Sequence, residues 1–313
     1  LPALFLLATL ATALTIRAGD YTYTINPANP NTVTITGYTG AGGAVDIPST
    51  LDGKTVTSIG QGVFRDFTNL TSVTIPNSVT NIGIAAFERC SGLVSATIGS
   101  SVADIDVSAF HGCSMTAITF PASVRRIGTE AFLTCHLTRV TIPGGVTSIG
   151  SAAFSRCASL TAITVDAGNA FYSSLDGVLF DKSQTTLVQC PGARAGNYTI
   201  PASVMHVGDH AFETCTGLTN VSIPAGVTDI GRDAFESCTA LTRIVFPASV
   251  TTVGSYAFRY CTALASVTMT NSITSFGARV FEKCTSLTNI ALPASLTAVA
   301  EGLFLDCSSL ANV

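Results

Sequence analysis

The chain has 313 residues, of which 11% are charged, and its 15 Lys and Arg against 19 Asp and Glu give a formal net charge of −4. So few cations leave no basic surface for a phosphate backbone, which excludes nucleic-acid binding. Hydrophobic residues make up 47% and the mean hydropathy is +0.49, yet beyond residue 16 no apolar run reaches the ~20 residues of a membrane-spanning helix.

Residues 1–16, LPALFLLATLATALTI, are apolar apart from their threonines, and Arg17-Ala18 leads into the polar GDYTYT. That length and sharp end suit the apolar core of a secretory signal with a small residue at its cut, so residues 1–18 are expected to be a signal peptide. The rival reading is a buried first helix. The chain opens on Leu1 with no basic segment before it, so its natural start is expected upstream. Residues 19–60 carry YTYTI and TVTITGY, then the Gly-rich TGAGGA, and read as an N-terminal cap. An open solenoid end would otherwise expose core.

From residue 61 to 313 the chain repeats. Phe followed three residues later by Cys recurs at Phe87, Phe110, Phe132, Phe154, Phe212, Phe235, Phe258, Phe281 and Phe304, with steps of 23, 22, 22, 58, 23, 23, 23 and 23. An earlier unit, Phe64-Arg-Asp-Phe67, has Phe67 in the Cys slot. The unit CTGLTNVSIPAGVTDIGRDAFES shows each part. In LTNVSIP, Val221 and Ile223 alternate with Asn220 and Ser222, which is a half-buried strand, and Pro224 suits its end because it lacks an N–H. VTDIG repeats the alternation, and Gly231 permits a bend. Ala234, Phe235 and Cys238 are spaced for one helical turn plugging the interior. One unit cannot bury its own apolar face, but stacked units can, which predicts a mainly β repeat solenoid.

The 58-residue step is a normal repeat plus a longer irregular coil at 166–196. Within it Val178 and Phe180 face Leu187 and Gln189 across a turn-like Asp181-Lys-Ser-Gln184, which predicts a hairpin. The chain ends in CSSLANV, part-way into the next strand, so the natural protein is expected to continue with repeats, a cap or an anchor.

The period of 22–23, the Leu-x-x-Ile-x-Ile-Pro strand and the Ala-Phe-x-x-Cys turn resemble the BspA-like class of leucine-rich repeats over roughly residues 34–313. The resemblance implies a right-handed leucine-rich repeat coil with short helical turns, in a secreted or surface-anchored bacterial or protist protein. It also implies a non-catalytic protein-binding or adhesion module, with extracellular or cell-surface proteins as partners. Glycans are the second partner class. A structural spacer or stalk displaying another domain is the alternative function, and ice binding by the Thr rows ranks below both.

Chemistry-bearing residues are few. Nine of the ten Cys belong to the repeat. Stacked equivalents point the same way, and Phe67 shows that the slot accepts a hydrophobe, so a ladder of buried free thiols is expected rather than disulfides or zinc. His111 and His136 flank Cys113 and Cys135 in variable turn slots, as Asp209-His210 precedes Ala211-Phe212, and no nucleophile or phosphate-loop motif accompanies them. Asp166, Asn169, Asp176 and Asp181 suggest calcium, but their spacing matches no known loop and such residues build turns. No catalytic residue, metal or cofactor is expected. Asn69, Asn197 and Asn220 start glycosylation sequons. The outward strand positions form a face of small hydroxylated side chains without aromatics. Its variable members, Arg139, Thr141, Asn220, Ser222, Arg243, Ser266, Thr268 and Asn289, are the expected partner-binding face.

Overall fold

A computed structural model describes residues 15–313. The apolar leader at 1–14 lies outside the described residues. Residues 16–18, which the sequence groups with the leader, form the strand Ile16–Ala18 antiparallel to Tyr21–Asn26. The latter pairs with Asn29–Tyr38, and that long strand pairs in parallel with Lys54–Ile59, Val33 opposite Val56 and Ile35 opposite Ile59. Lys54–Ile59 in turn pairs in parallel with Asn81–Ile82, so these N-terminal strands continue directly into the sheet of the repeats.

Each repeat closes one coil of a β-solenoid of about 11 turns. A front strand comes first. In Gly217–Ser222, Leu218 and Val221 are buried while Thr219 and Ser222 are exposed, so the strand turns one side to the core and the other to solvent. A short back strand follows, and these stack in parallel and in register: Ile59, Ile82, Ile105 and Ile127 form one buried column that ends on the half-buried Ile149. Leu187, Val207, Ile230, Val253 and Phe276 form a second. Gly231 serves close approach rather than a special bend, because a Cβ there would lie 2.6 Å from the Asp209 backbone nitrogen.

The third side differs from expectation. The described residues contain no helix, and the segment around Ala234, Phe235 and Cys238 is a chain of β-turns. Asp233 and Ser237 have φ of 51° and 59°, which a right-handed helix forbids. Bonds within the coil, such as Glu236 N to Asp233 O at 3.1 Å, alternate with bonds to the next coil, such as Phe235 N to Ala257 O at 2.7 Å. Turn N–H groups donate toward the C-terminal coil, whereas back-strand groups such as Gly231 N donate to the preceding one, at Val207 O.

Inside, Phe64, Phe87, Phe110, Phe132 and Phe154 stack face to face at centroid spacings from 5.0 to 5.7 Å. Phe212, Phe235, Phe258, Phe281 and Phe304 do the same at 4.7 to 5.8 Å. All ten Cys are free thiols, and nine are buried. Eight of them donate to the carbonyl of the Phe in the preceding coil at 2.9–3.2 Å. Each such carbonyl also accepts the amide of the slot residue in its own coil, as Phe87 O does from Cys90 N at 3.2 Å, so the thiol adds a second bond that ties adjacent coils together.

The long coil divides the molecule. Val178–Asp181 and Thr186–Gln189 form the expected hairpin, with Tyr172–Leu175 added on the other side. Val178–Asp181 runs between two hydrophobic cores, presenting Leu179 to the N-terminal one and Val178 and Phe180 to the C-terminal one. Both the back sheet and the Phe stack are interrupted here, since the sheet ending at Ser148–Ile149 does not pair with the one containing Thr186–Gln189.

Candidate functional site

All eight residues of the expected face lie on the front side, but not on one continuous sheet. Arg139 and Thr141 are on Arg139–Ile142, which pairs only with Ala162–Val165. Asn220, Ser222, Arg243, Ser266 and Thr268 share the four-stranded sheet beyond the long coil, and Asn289 bridges to Asn312 at its far end. Side chains at equal register touch across coils. Arg243 Nε donates to Asn220 Oδ1 at 3.0 Å, Thr141 and Thr164 hydroxyls lie 3.0 Å apart, and Asn312 donates to Asn289 at 2.8 Å. Shallow grooves run beside these strands, one lined by Asn220, Ser222, Arg243, Val245 and Pro247 and another by Thr119, Thr141, Pro143 and Asp166.

The other polar side chains singled out by the sequence are spent on local structure. Asn169 is buried and donates to Pro143 O and Val146 O while accepting from the Phe171 and Tyr172 amides. Asp181 accepts from Ser183, Thr185 and the Thr186 amide, and Asp166 from the Gly168 amide. Cys113 and Cys135, the thiols beside His111 and His136, are buried, and desolvation drives both well above the ordinary range. Neither can be a thiolate at neutral pH, so His111 and His136 have no nucleophile to activate. His206 lies on the back face, its Nδ1 2.6 Å from Asp229.

One cluster was missed from sequence. The residue after each ladder Phe faces the turn side, where Glu213 and Glu236 stack with side chains 2% and 4% exposed. Arg156 reaches both from across the long coil, at 2.6 and 3.4 Å, and Arg259 closes on Glu236 at 2.6 Å. His210 Nδ1 lies 2.9 Å from Glu213, and Arg232 pairs with Asp233 at 2.9 Å. Tyr256 and Tyr260 carry the Arg259 guanidinium over their rings at 4.5 and 5.5 Å. The available signal was the 23-residue spacing of Glu213, Glu236, Arg259 and Glu282.

Residues 57–185 and 192–311 match the model of the BspA type leucine rich repeat region, in six copies. The chain belongs to the BspA-type leucine-rich repeat family. Among solved structures this BspA-type chain is similar to a leucine rich cell surface protein of Faecalibacterium prausnitzii. The two are 31% identical with a TM-score of 0.68, over 96% of this chain and 94% of that one. Two more share the fold at 24% identity. A leucine-rich repeat protein of Eubacterium ventriosum has a TM-score of 0.67 over 95% of each chain. The pneumococcal vaccine antigen PcpA has 0.76 over 95% of this chain and 86% of that one. A search of curated proteins gave no match.

In this BspA-type repeat the turn-side cluster sets a pH response. Burial disfavours the charged form of His210, but the hydrogen bond to Glu213 and the carboxylates of Glu213, Asp233 and Asp209 outweigh it and raise the pKa above 6.5. A raised folded-state pKa contributes stability that is complete below the unfolded value and lost as pH climbs through the folded one. The melting temperature is therefore expected to fall as the pH rises above 6.5, and His210→Gln should flatten that slope. An identical slope in the variant would assign it to another group.

Proposed function

We propose that this protein is a non-catalytic protein-binding or adhesion module, displayed at a cell surface or secreted, that recognises its partner with the front strand face. The observation that carries this reading is the face itself: outward side chains held in register on a rigid ladder, mostly short and hydroxylated, with Arg139 and Arg243 projecting as its exposed cations. A stacked repeat fixes its interior by packing, so recognition falls to the residues that packing leaves free. Family membership and the cell-surface description of the Faecalibacterium protein support display outside the cell. Among the described residues no helix is long and apolar enough to cross a membrane.

With charge so scarce, two arginines on a hydroxyl-rich face orient an acidic protein segment. Front positions lack aromatic rings on which a sugar stacks, so protein partners rank above glycans. In capture of secreted and matrix proteins, Arg139→Ala with Arg243→Ala should weaken binding by about tenfold or more and leave the melting temperature unchanged. Asp229→Ala on the back face should leave capture intact. Equal loss from Asp229→Ala would move the interface to the back, and no capture by the native chain would favour a stalk that spaces another domain.

A further inference from the structure

The boundary between the two halves contains a slot that two residues fill in the neighbouring coils. From Gly128 to Phe132, Gly150 to Phe154, Gly208 to Phe212 and Gly231 to Phe235 three residues intervene. In the long coil Val188 holds the glycine position, one residue past Leu187, which registers with Val207. Cys190 holds the Phe position, because its amide donates to Ala211 O at 2.7 Å as the Phe132 amide donates to Ala153 O at 2.9 Å. Only Gln189 lies between them, so this turn is two residues short.

The missing pair leaves a defined vacancy in the ladder. Elsewhere one rung runs Ser108 N to Thr129 O at 2.9 Å, Glu130 N to Ser151 O at 3.0 Å, and His210 N to Arg232 O at 2.8 Å. At the short turn this rung has no residue. Among the described residues, the Ala152 N–H has no main-chain acceptor and the Asp209 C=O no main-chain donor. Between them opens a cleft of about 200 Å³, lined by Ile149, Ala152, Phe154, Thr186, Val188 and Gln189. Gly231 and Gly150 need their missing Cβ to clear the preceding coil, whereas the Val188 side chain lines the cleft.

We infer that this cleft binds a two-residue stretch of peptide main chain from a loop of a partner protein. The peptide C=O accepts from Ala152 N–H and its next N–H donates to Asp209 C=O. The occupant follows from what occupies the same space in adjacent coils, a dipeptide such as Thr129-Glu130 or Asp209-His210. The hydrogen-bond order and spacing of the slot are therefore those of a peptide. Its lining mixes apolar groups with the polar side chains of Ser151, Thr186 and Gln189, which suits small uncharged side chains. No front-strand residue contributes, so the site is independent of the strand-face interface.

The test titrates acetyl-Gly-Ser-Ala-Gly-amide to millimolar concentration into the ¹⁵N-labelled protein. Binding should move the Ala152 amide resonance downfield and slow its hydrogen exchange several-fold. Insertion of Ser-Ala between Val188 and Gln189 completes the turn and should abolish both changes. Thr186→Phe, which fills the cleft from its rim without altering chain length, should do the same if the insertion variant does not fold. Absence of any change at Ala152 in the native protein, changes confined to the front strands, or undiminished binding by the Thr186→Phe variant would each overturn the assignment.

Discussion

Phe235→Ala is expected to lower the stability of the C-terminal half by about 3–5 kcal/mol, the cost of emptying a large buried aromatic site. The Phe235 ring is fully buried between Phe212, 4.7 Å away, and Phe258, 5.0 Å away, with both pairs within 6° of parallel. Truncation removes two stacks as well as the ring's own burial. The space left cannot collapse, because the coil spacing is held by main-chain bonds such as Phe212 N to Ala234 O at 2.7 Å. Coils in a stacked array are stabilised mainly by their neighbours, so the damage should spread through the half. A denaturant midpoint equal to that of the native protein would remove Phe235 from the interior.

Arg156→Ala is expected to cost about 3 kcal/mol, the low end for breaking a buried ion pair, because the guanidinium is itself partly in water. The carboxylates it leaves are the cause of the loss. Glu213 and Glu236 are stacked and nearly inaccessible, and without Arg156 only His210 and Arg259 remain against them. Arg156 belongs to the last coil before the long insertion and both glutamates to coils after it, so the side chain clasps the two cores together. The variant should therefore unfold in two separated transitions, observable by calorimetry. Arg156→Lys should restore part of the loss, as a point charge satisfies Glu213 but cannot span both acids. One unshifted transition would show that the clasp contributes nothing.

The regular coils are legible because their inward positions are constrained by packing. Val221 must point inward, Gly231 must lack a Cβ and Phe235 must stack, so the same letters return every 23 residues. The turn was misread as helical because Ala234, Phe235 and Cys238 have helix-compatible spacing. Nothing in those letters reports that Asp233 and Ser237 adopt positive φ. Cys190 looked like a stray cysteine since no Phe stands three residues before it, and only its amide bond to Ala211 shows it in the Phe position. Glu213, Glu236 and Arg156 carry no motif that singles them out in the sequence. Their pairing joins positions 57 and 80 residues apart across an irregular coil, a distance no period encodes.

The opposed hydrogen-bond directions on two sides of each coil have an electrical consequence. Peptide dipoles on the turn side sum toward one end of the solenoid and those of the back strands toward the other, so they largely cancel along the axis. An α-helix of comparable length would carry about half an elementary charge at each terminus. This rod has no such poles, and in an external field it turns only as its sparse side-chain charges dictate.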